Sequence, residues 1–272
     1  MQRQEIRRVR PWWPWRITPK PERIARPNGW HTLLELCILM FVTLAYFLTR
    51  GLIRGREDDA VQHAQQILNI QHALHLNVEH PVQQFALHHD WLLQIANNFY
   101  LYAHLPVLIG VAVWLYIARP WAYPWFRNAF LLSAIFGLSI YVLLPVAPPR
   151  FMPGFVDTMA LYGFNMDGSA AGPLYNPYAA MPSLHVGWSL LAGIAMTACG
   201  RAWWLRAAGV ALPVLMTLTV LMTGNHYILD AIAGAAVIFI SLTLSALWSS
   251  WSMARARASR IPAWIPSALW RR

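Results

Sequence analysis

The feature that constrains this chain most is a set of long apolar runs. Leu33–Thr49, Trp91–Ala118, Asn128–Pro145, Ser183–Cys199, Leu205–Thr223 and Tyr227–Trp248 are apolar over most of their length. About 20 such residues let an α-helix cross the hydrocarbon core of a bilayer. In that medium only a helix or a closed barrel satisfies its own backbone. Composition points the same way. Of the 272 residues, 57% are hydrophobic and 12% charged, against roughly 25% charged in a soluble domain. Mean hydropathy is +0.39. The expected fold class is all-α, a polytopic membrane protein with six transmembrane helices.

Charge orients the helices. The net charge is +10, and most of the 21 basic residues fall in the two termini and in the connections that share their side. Only Arg50, Arg54, Arg56 and Arg150 fall on the other side. The positive-inside bias then puts both termini in the cytoplasm of an inner or plasma membrane. Residues 1–30 read as a Pro/Trp/Arg-rich cytoplasmic lead, 31–250 as the membrane domain and 251–272 as a basic tail. Charge and proline fill the lead and no cleavage-like site follows the first run, so that run is expected to stay as a helix. Trp12, Trp13, Trp15, Trp264 and Trp270 among these basic residues suit anchoring at anionic headgroups rather than nucleic-acid binding. Cys37 and Cys199 lie in different apolar runs and read as buried small hydrophobes.

Two long connections fall on the outer side. In residues 51–90, Ala60, Ala64, Ile67, Leu68 and Leu74 recur at helical spacing, which predicts a helix lying in the interface. The histidines there (His63, His72, His75, His80, His88 and His89) read as solvated polar faces, and no metal is expected. Residues 146–182 form a long outer loop rich in Pro, Gly and Tyr, of the kind that serves as a lid or binding element.

Chemistry concentrates at the ends of three runs. His226 and Asp230, four apart at the start of the last run, would share one helix face. The carboxylate could then accept from one imidazole nitrogen, fix the tautomer and leave the other nitrogen free; a structural pair joining helices is the alternative. Ser183 and Pro182 suit a helix start. His185 would then sit in a first turn that favours anions, able to bind a phosphate oxygen or give a proton to a leaving group. Arg150, beside Pro148 and Pro149, offers the paired donors that match phosphate oxygens. Tyr100 and His104, one turn apart in the second run after Asn97 and Asn98, suit either a supporting or acceptor-binding role or plain interhelical hydrogen bonding.

In the forms Ala147-Pro148-Pro149-Arg150, Met181-Pro182-Ser183-Leu184-His185 and Gly224-Asn225-His226-Tyr227-Ile228-Leu229-Asp230, the chain resembles the type-2 phosphatidic acid phosphatase superfamily. It resembles most the inositolphosphotransferase branch, which includes inositol phosphorylceramide synthases and bacterial relatives. The resemblance covers about residues 33–248. It implies that His226 is the nucleophile that forms a phosphohistidine, with Asp230 orienting it and His185 protonating the leaving group. Arg150, Ser183 and Asn225 would hold the phosphate, while Tyr100, His104 and Tyr227 would support the site or its acceptor. No metal or cofactor is implied. The sequence departs from the usual pattern in three ways. No lysine-to-Arg-Pro motif is found, since Arg119-Pro120 has Ala112 where the lysine belongs and falls on the cytoplasmic side. Val220 stands where an arginine precedes the histidine, and Leu184 replaces a glycine.

The expected function is transfer of a phosphoryl or phospho-headgroup from a lipid phosphate or phosphodiester to an inositol-like polyol or to water. A lipid-phosphate phosphatase is the nearest alternative. An intramembrane His/Asp transporter or proton relay is the alternative of another class, and a metal-dependent hydrolase built on the two histidines and Asp230 is a third.

Overall fold

The computed structural model describes residues 29–53, 55–163 and 176–258. The tail tryptophans and residues 164–175 of the connection read as a long outer loop lie outside the described residues. Among the described residues, ten α-helices run in order: α1 (Gly29–Ile53), α2 (Glu57–Ala73), α3 (Glu79–Leu87), α4 (Asp90–Asn98), α5 (His104–Ala118), α6 (Tyr123–Leu143), α7 (Thr158–Leu161), α8 (Leu184–Cys199), α9 (Trp203–Met222) and α10 (Ile228–Ala258). Among the described residues there is no β-strand, only one isolated bridge between Val146 and Ala179. The all-α expectation holds.

Among the described residues, four helical stretches are long and apolar enough to cross a membrane: Asp90–Ala118, Tyr123–Leu143, Trp203–Met222 and Ile228–Trp248. Thr32–Val42 within α1 and the whole of α8 are apolar but shorter. By length and composition the structure thus supplies four of the six expected spans. The helix read as Asn128–Pro145 starts five residues earlier, at Tyr123, where Pro124 suits the first turn because its missing N–H has no partner to lose.

The second span is not a uniform helix. Phe99–Ala103, between α4 and α5, is a π-helical turn. Pro106 explains it, since its ring has no N–H to give and crowds the carbonyl four residues back, at Tyr102. Widening the turn relieves that clash, and it falls at the level of Tyr100 and His104.

α8 packs against α5, α6, α9 and α10. Leu191, Ala192 and Ala195 of α8 meet Leu108, Val111 and Leu115 of α5, Phe126 and Ala129 of α6, and Ile238 and Leu242 of α10 in the main apolar core. The outward faces carry exposed Ile109, Ile117, Ile135, Leu143, Val214, Phe239 and Leu247, as expected where lipid is the solvent. α2 and α3 differ. Ala60, Ala64 and Ile67 of α2 pack on Val146, Ala147, Met152, Ala180 and Tyr227, and α3 packs on α9 and α4. Leu74, read as part of the apolar face of α2, is exposed.

α8 and α10 meet at backbone distance where both begin. The Ser183 N–H donates to the Asp230 carbonyl at 2.9 Å, and a Cβ at Gly234 would stand 2.2 Å from the Ser183 carbonyl oxygen. Only a residue without a side chain permits this approach. We expect Gly234→Val to force the helix starts apart and lower stability by at least about 1–3 kcal/mol, read by thermal unfolding in detergent. An unchanged melting curve would contradict the contact.

Candidate active site

A helix start buried in apolar protein must find acceptors for N–H groups that have no partner within the helix. At α10 three side chains provide them. The Tyr227 N–H donates to Asp230 Oδ2 at 2.8 Å, the Ile228 N–H to Glu79 Oε1 and the Leu229 N–H to Gln71 Oε1 at 3.3 Å. The Gln71 amide in turn donates to both Glu79 oxygens at 3.0 Å. Asp230 takes the reciprocal half of a capping box, while Glu79 and Gln71 reach in from α3 and α2. Glu79, Gln71 and Asp230 are all buried.

His226 sits in the turn before this helix. The expectation of one shared helix face is corrected here: α10 begins at Ile228, so His226 precedes it. The turn needs Gly224 at φ +66°, where a Cβ would also stand 2.6 Å from Gln83 Nε2. The Asn225 and His226 N–H groups both return to the Val220 carbonyl at the end of α9, at 3.0 and 3.3 Å. His226 Nδ1 lies 2.7 Å from the Ala180 carbonyl and 3.5 Å from Asp230 Oδ2. Both neighbours are acceptors, so Nδ1 carries the hydrogen and the Nε2 lone pair is free when the ring is neutral. The shorter contact makes the Ala180 carbonyl the main orienting partner, with Asp230 adding charge. That backbone partner was absent from the sequence reading.

His185 comes from the first turn of α8, which Ser183 caps by accepting from the Val186 N–H at 3.4 Å. The His185 ring is 5.8 Å from that of His226, centre to centre. On its other side Tyr100 stacks at 4.2 Å and His104 lies at 4.7 Å. His104 Nδ1 is 3.4 Å from Ser189 Oγ. Its Nε2 has no hydrogen-bond partner among the described residues. The π turn therefore delivers Tyr100 and His104 to the rear of His185.

Arg150 lies in a short 3₁₀ turn, Pro149–Phe151, and is buried. Its backbone N–H donates to the Gly224 carbonyl at 2.9 Å, and its guanidinium lies 4.8 Å from the Phe151 ring centre. The Arg150 turn is thus fastened to the His226 turn. Val220, at the position of the missing arginine, points its side chain into an apolar cluster with Tyr100, Met159, Val186, Met216 and Ala231.

Two expected site residues are engaged differently than the resemblance implies. Asn225 donates its amide to Thr223 Oγ1 at 2.7 Å, so one of its N–H donors is already engaged. Tyr227 points away, into the apolar cluster beneath α2. Its hydroxyl finds no partner among the described residues. Conversely, the sequence reading missed Gln71, Glu79 and Gln83. Gln83 exchanges two hydrogen bonds with the Val156 backbone, at 2.9 and 3.0 Å. A signal for these residues existed. Ala60, Ala64, Ile67 and Gln71 form one buried stripe of α2, and Glu79, Gln83 and Ala86 one of α3. A polar residue on a buried stripe needs a partner. Among the described residues, no group of three or more His, Cys, Asp or Glu side chains is arranged to hold a metal ion.

With this geometry in hand, comparison with known proteins gives the class. The model of the PAP2 superfamily matches residues 65–244, and the chain belongs to that superfamily. Phosphoinositol dihydroceramide synthase of Bacteroides thetaiotaomicron is 27% identical over 171 residues, 57% of this chain. The chain spans about half of that relative, the matched part being 56% of its length. No solved structure is significantly similar.

Burial pushes the Glu79 carboxyl above its ordinary value of 4.5. The hydrogen bonds from Ile228 and Gln71 oppose the rise, and the nearby Asp230 charge adds to it. The folded chain therefore holds this proton more tightly than the unfolded one. The resulting stability is complete at and below about pH 4.5 and is lost as pH rises through the raised value. Glu79→Gln is expected to flatten that part of the stability curve, measured as melting temperature over roughly pH 4 to 8. Glu79→Ala leaves the Ile228 N–H and the Gln71 amide without an acceptor and should lower stability by about 1–3 kcal/mol. If both variants melt like the parent at every pH, Glu79 does not cap α10.

Proposed function

We propose that the chain is a membrane phosphotransferase working through His226. The observation that carries this reading is the pairing of His226, whose Nδ1 is held by the Ala180 carbonyl, with His185, 5.8 Å away ring to ring. One imidazole is oriented with a free nitrogen, and a second imidazole lies beside it.

In the first displacement His226 Nε2 forms a bond to phosphorus, the bond to the leaving lipid oxygen breaks, and His185 gives that oxygen its proton. In the second, neutral His185 takes the proton of an acceptor hydroxyl, whose oxygen bonds to phosphorus as the P–N bond breaks. Asp230 and the Ala180 carbonyl offset the positive charge that grows on the His226 ring. Arg150, the first turn of α8 at Ser183 and the remaining Asn225 donor face the negative phosphate oxygens. Tyr100 and His104 support His185 from behind.

The acceptor is a hydroxyl compound. The relative is named as a synthase of phosphoinositol dihydroceramide, which favours transfer over plain hydrolysis. It also adds a lipid hydroxyl to inositol-like polyols and water as acceptors. We place six spans in a cell membrane, counting α1 and α8, with both termini cytoplasmic and the histidines at the outer face. The distribution of basic residues supports that orientation.

Purified protein supplied with phosphatidic acid or phosphatidylinositol, with and without inositol or a ceramide, tests the reading. His226→Ala should abolish turnover, and His185→Ala should slow it by about 10²–10⁴-fold. Activity should survive chelators. Turnover by His226→Ala would remove the mechanism, and loss of activity on chelation would favour a metal-dependent hydrolase instead.

A further inference from the structure

We infer a second anion site at the far end of the bundle from the histidines, one that takes the phosphate of an anionic phospholipid. His185 lies near the start of α8 and Cys199 at its end. A helix rises about 1.5 Å per residue, so the two ends are about 21 Å apart, roughly two thirds of a bilayer's hydrocarbon core. At the far end a cleft of ≈ 440 Å³ is lined by Arg119, Pro120, Trp121, Cys199 and Arg201, among others. That volume falls in the range of small-ligand sites and suits a headgroup, leaving the acyl chains outside.

The cleft carries positive charge that the described protein does not neutralise. Arg119 donates through Nε to the Cys199 carbonyl at 3.2 Å and through Nη1 to the Ala118 carbonyl at 2.7 Å. These bonds bridge the ends of α5 and α8 and hold the guanidinium in the cleft wall, with Nη2 still available to donate. Neither Arg119 nor Arg201 forms an ion pair among the described residues, where the ion pairs are Arg56–Asp59, Arg127–Glu35 and His226–Asp230. Glu35, the carboxylate at this end, is taken by Arg127 and by the Tyr123 hydroxyl.

Two further observations turn a basic cleft into a phosphate site facing lipid. α9 begins at Trp203, two residues after Arg201, and no side chain caps its first N–H groups. Its N-terminal dipole therefore adds to the field of the two arginines. Trp203 and Trp204 are 79% and 60% exposed, as indoles are when they sit among headgroups. The guanidinium of Arg119, fixed in the cleft wall beside Arg201, matches phosphate oxygens, and the exposed tryptophans that follow Arg201 in the chain imply that the phosphate arrives on a lipid. This inference does not depend on the histidine chemistry.

Native mass spectrometry of the full chain in detergent, titrated with phosphatidylglycerol, tests it. Arg119→Gln/Arg201→Gln is expected to retain one fewer tightly bound phosphatidylglycerol than the parent, and phosphatidylcholine is expected to show no such difference. Arg201→Gln alone, which leaves the Arg119 bridge intact, should weaken the same lipid and keeps the test valid if the double variant misfolds. Arg206→Gln removes an equal charge from the first turns of α9 without touching the cleft, and should bind like the parent. Equal binding by parent and cleft variants would overturn the site, as would equal weakening by Arg206→Gln. Displacement of the lipid by millimolar inorganic phosphate would overturn the assignment to a lipid in favour of free phosphate.

Discussion

Three backbone N–H groups at the start of α10 are met by side chains rather than by the helix itself. Each unmet buried donor costs about 1–3 kcal/mol, and the chain brings α2 and α3 across the end of the bundle to meet two of them. Asp230 serves the Tyr227 N–H, Glu79 the Ile228 N–H, and Gln71 the Leu229 N–H. The position of His226 follows from this. Its turn is fixed behind by the Val220 carbonyl, in front by the capped helix, and at the side by the bond between Arg150 and Gly224. The ring then has one orientation, with Nδ1 toward the Ala180 carbonyl.

The same interaction gives residues 51–90 a purpose. An amphipathic helix with polar faces reads as an interfacial element. In the structure α2 and α3 also pack over the start of α10, and their buried polar residues are tied to the backbone of residues 228, 229 and 156. The 146–182 connection obeys a similar logic. Val146 bridges Ala179 across its ends and accepts from the Ala180 N–H, so that the Arg150 turn and the Ala180 carbonyl reach the His226 turn from ends fastened to each other.

Much of this was legible beforehand, and what was missed has a physical pattern. Apolar runs revealed the long spans because lipid selects for composition as well as for periodicity. They also gave α8 nearly to the residue, Ser183–Cys199 against Leu184–Cys199, although the helix is short for a span. Motif residues His185, His226, Asp230 and Arg150 were legible because charged or ionisable groups at the ends of apolar runs need a reason to be there. Their partners were not. The Ala180 carbonyl is backbone and leaves no mark in the sequence. Gln71 and Glu79 were hidden because a polar residue on a helix in an outer connection reads as solvated unless its stripe is followed from Ala60 onward. The π turn at Phe99–Ala103, which brings Tyr100 onto His185, had its cause in Pro106, a residue that carries no chemistry of its own.

The central claim is that His226, oriented by the Ala180 carbonyl, becomes the covalent carrier of the phosphate. The most direct measurement is to mix the purified chain with a lipid labelled with radioactive phosphorus at its phosphate, quench in alkali before turnover is complete, and map the labelled peptide. The account predicts label on the peptide containing His226, stable in base and lost in mild acid as a phosphorus–nitrogen bond should be. Label on a different residue, or an acid-stable bond, would contradict it.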